Sequence, residues 1–127
     1  MKKIVTTLLL SSVFIAFSAN ADIELKDNSE ILGKWDLHDE ATSLTAPKKH
    51  TDTEWNIKAD RTIDATSTDV SGRISKMEIT IKYSIENGKI KKQSRPGKEI
   101  YETCTVVEKD DRNMTLHCGY FFFLTRK

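Results

Sequence analysis

Apolar and polar side chains alternate without a break between residues 77 and 86. Met77, Ile79, Ile81, Tyr83 and Ile85 take one side, and Glu78, Thr80, Lys82, Ser84 and Glu86 the other. A period of two is that of a strand with one buried and one wet face. Asn87-Gly88 follows, a pair that accepts the two positive φ angles of a type I′ turn, so 89–94 is predicted to return as the partner strand. Arg95-Pro96-Gly97 ends it. The same alternation runs through Trp55, Ile57 and Ala59 against Glu54, Asn56 and Lys58, and Asp60-Arg61 turns it into a weaker strand around 62–67. Residues 31–37 read as a first strand. Residues 38–51, with Pro47 and the Lys48-Lys49-His50 cluster, lack periodicity and read as a long loop, the kind of segment that carries function more often than strands do. Residues 66–72, small and polar, read as another loop, and 22–30, with Ile23 and Leu25 its only apolar residues, as an arm or short helix.

The stretch 99–124 reads as two strands joined by Lys109-Asp110-Asp111-Arg112. With Asp111 at the centre of the turn, Val106 faces Leu116, Ile100 faces Phe122, and Cys104 faces Cys118, the only two cysteines. The same register sets Met114, Tyr120 and Leu124 on the disulfide's face. A structural Cys104–Cys118 bridge is the expectation.

There is no convincing amphipathic helix after Gly33 and no internal repeat. Seven to eight short strands with tight turns describe an all-β antiparallel meander that closes into a barrel or folds into a sandwich; sequential neighbours favour a small up-and-down barrel.

The first 21 residues have the form of a secretory signal peptide: Lys2 and Lys3, an apolar run over 4–17, and Ala19-Asn20-Ala21 as an A-x-A cleavage site. The run is interrupted by Thr6, Thr7, Ser11 and Ser12 and is shorter than the roughly 20 residues of a membrane-spanning helix. The mature chain is expected to be one domain, residues 22–127, periplasmic or secreted. Removing the leader leaves 18 basic and 19 acidic side chains, a formal charge of −1, which favours neither nucleic acid nor an anionic membrane as partner. An exported chain with two cysteines is expected to pair them.

At Leu32-Gly33-Lys34-Trp35 the sequence resembles the G-x-W entrance of the lipocalins and of small bacterial lipocalin-like domains. The run from Trp55 to Thr62 resembles their strand leading into a D-G-T turn, with Arg61 where Gly is usual, and Tyr83 to Ile90 resembles their Y-x-I-x-N-G-K-I hairpin. Met114-Thr115-Leu116 resembles their closing strand. The resemblance implies a small β-barrel, frequently non-enzymatic, with a binding role.

Candidate chemistry is sparse. His38, His50, His117, Met77, Met114, Asp39 and Glu40 are metal-binding types, but without ligand spacing. Ser43 and His50 share a segment with Asp39 and Asp52 but lack the frame of a nucleophile turn. No motif implies a cofactor, a metal site or catalysis. In Tyr120-Phe121-Phe122-Phe123, alternation sends Phe121 and Phe123 to the face opposite Tyr120 and Phe122. Either the 22–30 arm, another segment or a neighbouring molecule covers that second face, or an apolar patch stays exposed as a partner surface. Lys89, Lys91, Lys92, Arg95 and Lys98 make a basic hairpin and turn, ordinary as edge protection, with a docking site for an acidic protein or glycan as the alternative.

Two functions follow as expectations. The first is a periplasmic module binding a small apolar or amphipathic molecule, with Trp35, Trp55, Met77, Ile79, Ile81 and Tyr83 lining or plugging the interior. The alternative is an inhibitor or immunity protein neutralising an envelope enzyme or toxin through Lys48, Lys49, His50, Phe121 and Phe123.

Overall fold

The structure, a computed structural model, describes residues 22–68 and 76–127. The proposed leader and residues 69–72 of the expected 66–72 loop lie outside them, and 66–67 belong to the third strand. Eight strands follow one another: β1 Gly33–Ala41, β2 Lys49–Ile57, β3 Thr62–Ser67, β4 Met77–Glu86, β5 Lys89–Gln93, β6 Tyr101–Lys109, β7 Asn113–His117 and β8 Phe121–Arg126. Each pairs antiparallel with the next, and β1 pairs with β8, so the meander closes into a barrel. The sandwich alternative is thereby set aside.

The hairpin read from strict alternation is present: Asn87 and Gly88 have φ of 54° and 79°, and Ile85 faces Ile90 across it. The first loop is shorter than expected. β1 runs on to Ala41 and β2 begins at Lys49, leaving only 42–48 between them, with Asp39 opposite His50 and Glu40 opposite Lys49. A bulge at His38 shifts the register between Leu37 and Asp39, which breaks the period of two and makes a real strand pair look aperiodic.

The final apolar run is two strands. Gly119, at φ 109°, turns the chain between β7 and β8. Leu116 pairs with Val106 on one side and Phe122 on the other, so Ile100 does not face Phe122. Ile100 and Tyr120 are exposed, as is Met77, and Tyr120 leaves the core face assigned to it. Cys104 and Cys118 are bridged, with Cα atoms 4.2 Å apart, beside the Val106–Leu116 pair.

The interior is filled by Trp35, Ile57, Ile63, Ile90, Val106, Met114, Leu116 and Leu124, all nearly inaccessible. Burying each of the aliphatic ones is worth about 1.5–3 kcal/mol. One end of the barrel is closed by the arm, which ends in a 3₁₀ turn, Asn28–Glu30. Ile23 bridges to Val106, the Leu25 N–H bonds the Gly88 carbonyl, and Leu25 and Ile31 join the core. Gly88 is required here, since a Cβ would lie 2.8 Å from that of Glu24. The β2–β3, β4–β5 and β6–β7 turns surround this closed end. The four other connections, between β1 and β2, β3 and β4, β5 and β6, and β7 and β8, lie at the opposite end, open in the sense that the arm does not reach it.

Candidate functional site

Strand parity places a polar pair in the upper half of the barrel. Lys92 lies opposite Tyr83 and Glu102, on the inward face, although composition alone assigns it to a basic surface. Its alternation with Ile90 is the signal that places it inside. The Lys92 side chain is 9% exposed and its ammonium donates to Glu102, which is 34% exposed toward the open end. The same ammonium sits 5.6 Å from the Trp55 ring centroid, and Phe122 lies against Trp55 at 6.4 Å. Ile79, half-buried, and Ala65 continue this wall. The Glu102 carboxylate lies within 4.8 Å of both disulfide sulfurs, which, being bridged, have no thiolate to offer a metal.

The other interior residues named from sequence separate by depth. Trp35, Ile81 and Tyr83 are buried and part of the packed core. The Tyr83 hydroxyl is fixed at the closed end, donating to the Lys58 carbonyl and accepting from Asn28 Nδ2. Trp55 and Ile79 stand above them, and Met77 sits exposed at the rim.

Four of the residues named for a partner surface, Lys48, His50, Phe121 and Phe123, share one outer corner near the open end; Lys49 instead faces Glu40, which pairs with the inward Phe122, so it stands at the mouth. Phe123 pairs with Asp39, itself opposite His50, and Phe121 pairs with Ala41. The Lys48 ammonium covers Phe123 at 4.2 Å, and His117 stacks on Phe121 at 4.1 Å. These contacts partly cover the outer aromatics; the 22–30 arm is instead tied to Val106 and Gly88, at the closed end.

The hydroxyl and imidazole groups serve as ties. Ser43 Oγ accepts from the Ala46 N–H and His50 Nε2 bonds Asp52, so those two do not form a nucleophile–base pair. His38 bonds Asp39 through Nδ1 at 2.7 Å and Thr125 through Nε2 at 2.9 Å, and Thr125 also bonds Asn113. This carboxylate–imidazole–hydroxyl line stitches β1, β8 and β7 on the outside of the barrel. A cleft of about 540 Å³ lies elsewhere on the outer surface, lined by Arg61, Lys82, Tyr83, Lys91 and Tyr101 among others. Desolvation, with a bond to Glu99, raises the Tyr101 hydroxyl above its ordinary pKa.

Two solved structures share this architecture. A lipocalin-like protein from Bacteroides uniformis superposes with a TM-score of 0.63 at 15% identity, over 78% of this chain and 100% of that one. The fold is lipocalin-like. An uncharacterized protein from Bacteroides eggerthii gives a TM-score of 0.57 at 16% identity, over 76% of this chain and 98% of that one. No protein-family model matches the chain, and no curated protein does. A disulfide suits an oxidising, extracytoplasmic compartment. Among the described residues no helix is long and apolar enough to cross a membrane.

Proposed function

We propose that this is an exported, non-catalytic binding protein that takes a small amphipathic molecule at the open end of its lipocalin-like barrel. The observation that carries the reading is the mixed wall in the upper barrel. Trp55, Phe122 and Ile79 offer an apolar face, and the Lys92–Glu102 pair interrupts it with one charged group of each sign. Sites for small molecules combine mainly apolar linings with a few placed polar groups. The ligand enters through the ring of connections at the open end, and Trp35, Ile81 and Tyr83 form the floor. Export by cleavage after Ala21 completes the reading.

Native mass spectrometry of protein purified from its host tests it. The expected result is a stoichiometric small molecule, or uptake of an amphiphilic probe that quenches Trp55 fluorescence. Unliganded protein that ignores such probes counts against it.

The outer corner supports a second reading, an inhibitor or immunity protein. Lys48, His50, Phe121 and Phe123 converge there from β2, the connection before it and β8, with Lys49 beside them at the mouth. A stoichiometric envelope protein recovered by pull-down, and lost on Phe123→Ala, favours it over the ligand reading.

A further inference from the structure

The four large hydrophobic side chains that are more than half exposed among the described residues all lie at the open end. Leu44 is in the β1–β2 connection, Met77 opens β4, Ile100 precedes β6, and Tyr120 is in the β7–β8 turn. Their exposures are 52%, 57%, 54% and 54%. Single exposed hydrophobics are ordinary, but four drawn from four separate connections to one rim form a patterned surface.

Charge divides the same way. In the described parts of the open-end connections the ionic side chains are Lys48, Lys76, Arg95 and Lys98 against Glu99 alone; at the adjoining strand ends Lys49 faces Glu40, and Glu78 follows Met77. At the closed end, the arm, the turns and the C-terminal residue carry the basic side chains Lys26, Lys58, Arg61, Arg112 and Lys127 against seven acidic side chains. The described connections are thus net basic at the open end and net acidic at the closed end, in a chain close to neutral overall.

From this we infer that the open rim is a docking surface for an anionic phospholipid bilayer, with Leu44, Ile100 and Tyr120 entering the headgroup region and Lys48, Arg95 and Lys98 facing the lipid charges. Apolar side chains that reach the interface, flanked by cations, are what a peripheral protein needs to bind a charged leaflet without spanning it. A protein partner fits less well, because the apolar contacts stand apart around a mouth. The inference deepens the ligand reading by naming where the amphiphile is collected: the docked mouth opens onto the lipid.

The test is flotation of mature protein, its start at Asp22 verified by mass so that the apolar leader contributes nothing, with two kinds of vesicle. One is phosphatidylglycerol and phosphatidylcholine in equal parts, the other phosphatidylcholine alone. Binding is expected to be at least tenfold stronger to the anionic vesicles and to fall at 0.5 M NaCl, where screening shortens the reach of the charges. The triple variant Leu44→Ser, Ile100→Ser, Tyr120→Ser and the pair Arg95→Glu, Lys98→Glu should each lose it, with unchanged melting curves because these side chains are exposed. The closed-end pair Lys58→Ser, Arg112→Ser should bind as the parent does. No flotation of the parent, equal loss in the closed-end variant, or crosslinking of the rim to an envelope protein without vesicle binding overturns the inference. Amphiphile uptake is read separately by native mass spectrometry: vesicle binding without uptake refutes the ligand reading alone, and uptake without vesicle binding refutes only the docking.

Discussion

The guanidinium carbon of Arg126 lies 4.2 Å from the centroid of the Trp35 ring, joining the last strand to the first at the closed end. Arg126 also donates to the carbonyls of Leu32 and Glu30 and, through Nε, to that of Asp111. Trp35 is completely buried and gives its Nε1–H to the Ile31 carbonyl. One side chain therefore ties β8, the arm and the β6–β7 turn around the Trp that opens the fold. Gly33 allows the approach, since a Cβ there would stand 3.1 Å from Arg126 Nη1. A cation over a ring is worth about 0.5–2 kcal/mol, and hydrogen bonds from a charged donor about 1.5–3. Arg126→Ala should cost about 3 kcal/mol in urea unfolding. Arg126→Lys should recover little of it, because one ammonium cannot reach three carbonyls and cover the ring.

The disulfide is a staple across strands already in register. Bridging positions 14 residues apart contributes about 3 kcal/mol in the chain-entropy model. Cys104 is fully buried, so serine would add an unpaired hydroxyl, and alanine isolates the cross-link. Cys104→Ala with Cys118→Ala should lose roughly 2–4 kcal/mol while retaining the Val106–Leu116 pairing, visible as unchanged cross-strand NOEs. Two thiols found free in native protein would refute the staple.

Arg61 holds a φ of 71°, where a side chain meets the backbone and glycine does not. Its backbone N–H bonds the Lys58 carbonyl and its own carbonyl accepts from the Tyr83 N–H, so the turn keeps its bonds with any residue at this position. Arg61→Gly should raise stability by about 0.5–1 kcal/mol, the relief of strain exceeding the extra freedom of the unfolded chain. A lower melting temperature for Arg61→Gly would show that the side chain contributes more than the strain costs.

Three aspartates, Asp27 and Asp110 exposed and Asp64 half-buried, shape the acid limb. Asp110 is held below the usual carboxylate range by the backbone N–H groups of Arg112 and Asn113. Asp27 is lowered chiefly by the Ser29 hydroxyl, and Asp64 by the Thr80 hydroxyl and then Lys58. A carboxyl whose folded pKa is depressed stabilises the fold above its unfolded value, near 3.8. That contribution is lost as pH falls through the folded value. The melting temperature should therefore drop as pH is lowered from about 4 to 2, and Asp110→Asn should drop less steeply. Equal slopes for the two proteins would refute the assignment.

Legibility in the sequence followed local regularity. The β4–β5 hairpin was readable because strict alternation meets Asn87-Gly88, and the cysteine pairing because the turn at 110–112 is short and polar. The β1–β2 pair was hidden by the bulge at His38, which inverts the parity of Asp39 and Glu40 relative to Leu37. The β7–β8 turn was hidden because Tyr120 to Phe123 reads as continuing strand, although Gly119 marks the break. Closure is non-local. No window of sequence shows that Leu44, Met77, Ile100 and Tyr120 share one rim, or that Lys92 leaves its basic neighbours for the interior.

That interior pair offers the sharpest link between stability and function. A buried ion pair is costly to desolvate, and its replacement by apolar residues of similar volume is often neutral or stabilising by about 1–4 kcal/mol. Lys92→Met with Glu102→Leu keeps the wall beside Trp55 and removes both charges, so its unfolding free energy should equal or exceed that of the parent. Lys92→Met alone leaves Glu102 without its ammonium next to the disulfide; since Glu102 is one-third exposed, water softens the loss and the cost should be about 1–2 kcal/mol. If the pair recognises the polar part of an amphipathic ligand, the double variant should still accept apolar probes but lose its preference for charged over neutral amphiphiles of equal chain length. Titrations of Trp55 fluorescence with the two kinds of amphiphile read that preference directly. A double variant that is both less stable and unchanged in preference would assign Lys92 and Glu102 to packing alone.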